Sequence, residues 1–173
     1  MNRQNMIKFL KSLNINEAAE VLETLLDDHP DLLKKAYDVA VKVTTDVDAD
    51  EIAISVYQSL NSLDVEDLYS RSGKTRYGYV EPCEEAYVML EEAIDPFINE
   101  MMKNQQRELP AISKTFCIGI INGLRRYAKE SRTDFSEYIE EDANDYVYTV
   151  VEEWKKGKPP NEDIVEVATI LNS

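Results

Sequence analysis

Residues 134–154 read DFSEYIEEDANDYVYTVVEEW. The run Tyr146–Val151 is aromatic and β-branched, the composition of a strand. Its flanks decide otherwise. Phe135, Tyr138, Ile139, Ala143, Tyr146, Val147, Val150, Val151 and Trp154 recur three and four residues apart. That spacing lines one face of a 3.6-residue helix and does not alternate with the period of a strand. The stretch predicts a long helix with Asp134 as its N-cap. Gly157-Lys158-Pro159-Pro160 ends it, because the two prolines cannot continue a helix. A short last helix follows over residues 161–171.

The same period runs through the rest of the chain. Met6, Phe9, Leu10 and Leu13 form one stripe. Ala18, Val21, Leu22, Leu25 and Leu26 form a second, with Asn16 as its expected cap and His29-Pro30 as its stop. Leu32, Leu33, Ala36, Tyr37, Ala40 and Val43 make a third. Asp48, with Glu51 three residues on, fits a capping box ahead of Ile52, Val56, Tyr57, Leu60 and Leu63. Residues 65–69 read as a turn. Pro82 and Pro110 each suit the first turn of a helix, and Asp95-Pro96 predicts a break or kink. No segment reads as a strand, and no clean repeat marks a regular solenoid.

The expected fold is therefore all-α. About eight helices in antiparallel pairs would form a helix bundle or a short α-α superhelix. One domain spans residues 1–173, with lobes 1–70 and 81–173 joined by a basic loop as its variant form. At 19.9 kDa, size scaling gives a folded surface of about 8,700 Å² against about 29,000 Å² unfolded, enough burial for a core without staples.

Composition narrows the function class. Glycine and proline are scarce, at 5 and 6, and 10 tyrosines are spread along the chain, so neither a collagen-like nor a disordered chain fits. Cys83 and Cys117 make no disulfide framework. The longest apolar stretch, Phe116–Ile121, is far below the ~20 residues of a membrane span. The first residues have spaced rather than continuous apolar positions, unlike a signal peptide. These features read as a soluble, reduced, cytoplasmic protein.

Several motifs fail on their own requirements. Gly73-Lys74-Thr75 matches the tail of a phosphate-binding loop, but Leu68 stands where the first glycine belongs. Asp46, Asp48 and Asp50 open like a calcium loop, but Glu51 and Tyr57 occupy its glycine and bidentate glutamate positions. His29 is the single histidine, so no zinc set at ligand spacing and no Glu-x-x-His pair exists. No catalytic residue, metal or cofactor is assigned. Gly119 and Gly123, at G-x-x-x-G spacing within a helix, predict close approach of a neighbouring helix, with an oligomer seam as a special case.

Charge carries the most information. The chain holds 34 acids and 19 bases, net -15. Residues 1–70 are net -8, residues 71–80 net +3, residues 81–133 net -2 and residues 134–173 net -8. Of these four segments, only RSGKTRYGYV is free of acids, and it holds three bases. Arg71, Lys74, Arg76, Tyr77 and Tyr79 there suit an exposed contact surface, with the two planar guanidinium groups able to grip a carboxylate or phosphate. The same loop could equally fold back on the chain's own acidic helices. A second cluster, Arg125, Arg126, Lys129 and Arg132, sits near a helix C-terminus, where bases complement the dipole. Arg125 and Arg126 are added to the binding set.

Arg71-Ser72-Gly73, Gly78-Tyr79-Val80-Glu81-Pro82, Ala86, Asp95-Pro96-Phe97, Gly119 and Gly123-Leu124 fall within residues 71–107 and 109–128, about a third of the 173 residues. Together they resemble all-helical segments of uncharacterised prokaryotic proteins, including ones attached to SWIM-type zinc fingers. No Cys-x-Cys…Cys-x-His pattern is present, so neither zinc nor DNA binding carries over. The resemblance implies a helical accessory module with no catalytic residues.

The reading is a non-enzymatic cytoplasmic interaction protein. It contacts a protein, or another anionic partner such as a small anion, through residues 71–80. Two alternatives stand beside it. One is an enzyme using Asp or Glu and the loop arginines on a small anionic substrate. The other is a nucleic-acid-associated accessory factor acting through protein contacts or one basic face, since at net -15 direct binding needs the bases to cluster in space. No membrane partner is expected, and a homo-oligomer is compatible with the glycine pair.

Overall fold

Almost every described residue of this chain follows the 3.6-residue period into a helix. The computed structural model describes residues 2–44, 47–76 and 78–172. Asp46 and Tyr77, singled out above, lie outside the described residues. Among those described, nine α-helices and one two-stranded hairpin form an all-α fold. The chain divides into two units, Met1–Asp46 and Val47–Ser173.

The first unit contains α1 (Arg3–Lys11), α2 (Ile15–Asp28), a 3-10 turn (Pro30–Leu32) and α3 (Leu33–Thr44). Asn14, not Asn16, caps α2. Its Oδ1 accepts from the Glu17 amide at 3.0 Å, and the Glu17 carboxylate accepts from the Asn14 amide at 2.9 Å. The cap therefore sits two residues earlier than expected, and it closes a capping box because Asn14, unlike Asn16, has an acidic residue three positions on. His29 and Pro30 stop the helix where the proline predicts.

The second unit contains α4 (Ala49–Asn61), α5 (Val65–Arg71), the hairpin strands β1 (Gly73–Thr75) and β2 (Gly78–Val80), α6 (Pro82–Gln106), α7 (Pro110–Glu130), α8 (Ser136–Lys155) and α9 (Asn161–Leu171). Helix α7 is its centre, packed on α4, α6 and α8. Leu60, Leu90, Ile94, Ile120, Ile121, Leu124, Ile139, Val150 and Trp154 fill the space between them. Residues 71–80 lie within this unit, between α5 and α6, which pack on each other.

Local expectations change at five points. Asp48 caps α4, but its carboxylate accepts from the Asp50 amide at 3.0 Å rather than closing a box with Glu51. Residues 65–71 are a helix and not a turn, capped by Asp64 and pinned by buried Leu68. α6 runs through Pro96 without a break. Its exposed proline lies on the solvent side, while Leu90, Ile94, Ile98 and Met101 anchor both flanks in the core. Asp134 does not cap α8. The Ser136 amide bonds instead to the Thr133 carbonyl at 3.0 Å and to the Thr133 hydroxyl at 3.3 Å. Finally, Gly73–Thr75 and Gly78–Val80 pair as two antiparallel strands where no strand was expected.

Gly119 and Gly123 explain how α4 and α7 meet. A Cβ on Gly119 would lie 2.6 Å from the Ile52 Cβ and 2.9 Å from the Ala49 carbonyl oxygen. On Gly123 it would lie 2.5 Å from the Val56 Cβ and 2.8 Å from the Ala53 carbonyl oxygen. Hydrogen in place of a side chain lets the two helices touch backbone to side chain along one full turn.

Candidate functional site

The hairpin grows directly out of α5. The Ser72 amide closes the last turn on the Leu68 carbonyl at 3.0 Å. Gly73 then adopts φ +85, a left-handed conformation that glycine takes without a Cβ penalty. Gly78, at φ +139, is a second such point where the chain re-enters β2. The register pairs Gly73 with Val80, Lys74 with Tyr79 and Thr75 with Gly78. Lys74 and Tyr79 are thus direct cross-strand neighbours. Both are exposed, Tyr79 by 65%. Arg76 sits at the exposed turn.

Three contacts fix the stem of this hairpin. Leu68 is fully buried. The Tyr69 and Tyr138 hydroxyls share a 2.5 Å hydrogen bond, and their rings meet edge to face at 6.3 Å, which ties α5 to α8. Arg71 donates from both terminal nitrogens to Glu92 Oε2, at 2.8 and 2.9 Å, and reaches Glu85 at 3.4 Å. Its guanidinium is held above its ordinary pKa, chiefly by the Glu92 hydrogen bond. Arg71 is therefore a clasp onto α6.

The two distal arginines are also engaged. Arg125 donates to the Ile170 carbonyl at 2.7 Å and to the Leu171 carbonyl, closing the C-terminal end of α9. A cation at that end also meets the negative pole of the helix. Arg126 lies over the Tyr57 ring, 4.7 Å from its centroid, and donates to Glu130 at 2.9 Å. The predicted binding set thus falls into three local settings. Among the described residues, Lys74 and Arg76 are the cations of that set with neither an ion pair nor a hydrogen bond to a carbonyl, whereas Arg71 and Arg126 pair with carboxylates and Arg125 with carbonyls. Glu92 and the carbonyls of α9 lie 21 to 46 residues away from the arginines they hold, while Glu130 is four residues from Arg126. No local motif announces Glu92 or the α9 carbonyls.

Two hollows in the second unit bear on chemistry. Beside Arg71 an open groove of about 460 Å³ is lined by Ser59, Ser62, Asp67, Ser70, Arg71 and Glu92, among others. Its three serine hydroxyls donate to the backbone carbonyls of Ala93, Ser59 and Asp67. None of them is poised as a nucleophile. At the start of α7 a pocket of about 290 Å³ is lined by Gln105, Pro110, Ser113, Trp154 and Pro159, among others. There Gln105 donates to the Trp154 carbonyl at 2.6 Å.

The thiols differ in setting. Cys83 is exposed on the first turn of α6, and Cys117 is buried in α7. Burial pushes the Cys117 thiol up to about 12. Among the described residues no group of three or more His, Cys, Asp or Glu is arranged to hold a metal ion. No described helix is long and apolar enough to cross a membrane.

No family model matches the chain, and neither a curated protein nor a solved structure matches it.

Proposed function

We propose that the chain is a cytoplasmic binding protein without catalytic activity, which offers Lys74, Arg76 and Tyr79 to an acidic protein surface. One observation carries the reading. In a chain of 34 acids, Arg71, Arg125 and Arg126 are all drawn into internal contacts, while Lys74 and Arg76 stand on a hairpin without an ion-pair partner among the described residues. Clasped to α6 and α8 at its stem, the hairpin holds these cations and an exposed aromatic in a preset arrangement. Aromatic and basic side chains in a preformed geometry are what interface anchors require. A helical accessory module, as the resemblance to SWIM-associated segments implies, agrees with this role. The occupied hydroxyls of the neighbouring groove weigh against the enzymatic alternative.

The test is affinity capture from a cell extract with quantitative mass spectrometry, comparing the wild type with the Lys74→Ala/Arg76→Ala variant. The variant should keep the wild-type melting temperature and lose selected acidic partners by about tenfold, since close charge pairs at an interface carry over 1 kcal/mol each. An identical captured set from both proteins overturns the proposal. So does a melting temperature lowered by several degrees with capture unchanged, which would make the two bases internal clasps.

A further inference from the structure

Ser113, in the first turn of α7, is 1% exposed, and its hydroxyl has no hydrogen-bond partner among the described residues. Other helical hydroxyls of this chain behave differently. Thr24, Ser55, Thr115 and Thr169 each donate to the carbonyl four residues earlier, the usual resting place of a hydroxyl inside a helix. Ser113 instead lines the pocket of about 290 Å³ at the start of α7. A buried polar group without a partner costs free energy until something meets it.

The remaining walls state what fits. Pro110, Trp154 and Pro159 supply apolar surface. Gln105 spends its amide nitrogen on the Trp154 carbonyl at 2.6 Å, which leaves its Oε1 as an acceptor. Gly157 makes room for that amide, since a Cβ there would lie 2.4 Å from the Gln105 Cδ. Glu108 brings an exposed carboxylate to the same pocket. The bases on either side of it in sequence, Lys103 and Arg107, reach Glu100 instead. None of the described residues lining the pocket is basic. Three oxygens of different side chains thus line one cavity with no cation to match them, in a chain of net -15 that draws cations to its surface.

We infer that this pocket binds a small organic ammonium ion, a primary amine carrying one apolar ring. The ammonium group donates to the Ser113 hydroxyl and the Gln105 Oε1 and lies beside the Glu108 carboxylate. The ring packs against Trp154, Pro110 and Pro159. An ammonium has three donors and no acceptor, which suits three oxygens. A cavity of about 150 Å³ holds benzene, so this one takes a ring together with its charged arm. The site is separate from the hairpin and does not depend on its role.

Trp154 is the only tryptophan, so its fluorescence reads this pocket directly. Benzylammonium chloride titrated into the full chain should give a saturable change with a dissociation constant of about 1 mM or below. Benzyl alcohol, the neutral counterpart, should bind at least about tenfold more weakly, and benzoate more weakly still. Glu108→Gln and Ser113→Ala should each weaken benzylammonium about tenfold. Ser113→Ala should not lower the melting temperature, because its hydroxyl has no partner to lose, and this separates lost binding from misfolding. A fluorescence change that fails to saturate by about 10 mM would overturn the inference. So would benzyl alcohol or benzoate binding as tightly as benzylammonium, or either variant binding benzylammonium as the wild type does.

Discussion

Gly123→Ala is the sharpest test of how the second unit is packed. The added Cβ would lie 2.5 Å from the Val56 Cβ and 2.8 Å from the Ala53 carbonyl oxygen. Ordinary carbon–carbon contact begins near 3.5 Å, so one helix must retreat by about 1 Å. Neither obstructing atom can rotate away, since one is a backbone oxygen and the other a Cβ fixed by its own helix. Retreat of α4 loosens its contacts with a centre where Leu60, Ile120 and Leu124 are fully buried. Overpacking of this kind costs about 3 kcal/mol at the upper end. Replacing a mid-helix glycine by alanine returns about 1 kcal/mol of helix propensity. The net loss is about 2 kcal/mol, or a melting temperature lower by about 6–8 °C for a unit of this size. Thermal unfolding followed by circular dichroism measures it. Gly119→Ala should behave alike, and the double variant should cost less than the two added, because one retreat of α4 accommodates both. Val56→Ala should not rescue Gly123→Ala, since alanine keeps the obstructing Cβ. A Gly123→Ala protein more stable than wild type by its propensity gain would refute the close approach of α4 and α7.

Two further outcomes follow from the geometry. A disulfide exchange reagent should label one thiol per native chain, Cys83, and a second only in denaturant, because Cys117 is buried with its thiol pushed up to about 12. Two rapid equivalents in the native protein would contradict the packing of α7. Lys114 bridges Asp163 at 2.7 Å and Glu166 at 2.9 Å, holding α9 on α7. These hydrogen bonds raise its pKa above the ordinary 10.5, the one to Asp163 most. A raised lysine stabilises fully below 10.5 and ceases to do so as pH climbs through its folded value. Lys114→Met should therefore cost about 1 kcal/mol at pH 7 in denaturant unfolding, a difference that closes as pH climbs past 10.5 through the raised folded value. A difference that persists or grows at high pH would show that the ammonium group is not what holds α9.

What the chain shows in one dimension and what it hides divide along a physical line. Helices α7, α8 and α9 are legible because Pro110, Pro159-Pro160 and an unbroken 3.6 period mark them locally. Pro96 misleads, because its local cost of about 3 kcal/mol is met by core contacts on both flanks that no window reveals. The hairpin misleads for the opposite reason. Its strands are three residues each, too short for a period, and only the register exposes Lys74 opposite Tyr79. Counting charge along the chain finds the +3 segment but cannot divide it, since Arg71 is claimed by a carboxylate 21 residues further on. Arg125 is likewise claimed by carbonyls 45 and 46 residues on. A base becomes a candidate site only when the fold brings no acid or carbonyl to it. Lys74 and Arg76 meet that condition among the described residues. Apolar stripes obey the same rule. Those of α4 and α6 to α8 find one another and become a core. Those of α1 and α2 are equally plain in the sequence and bury nothing, so a stripe alone does not make a core.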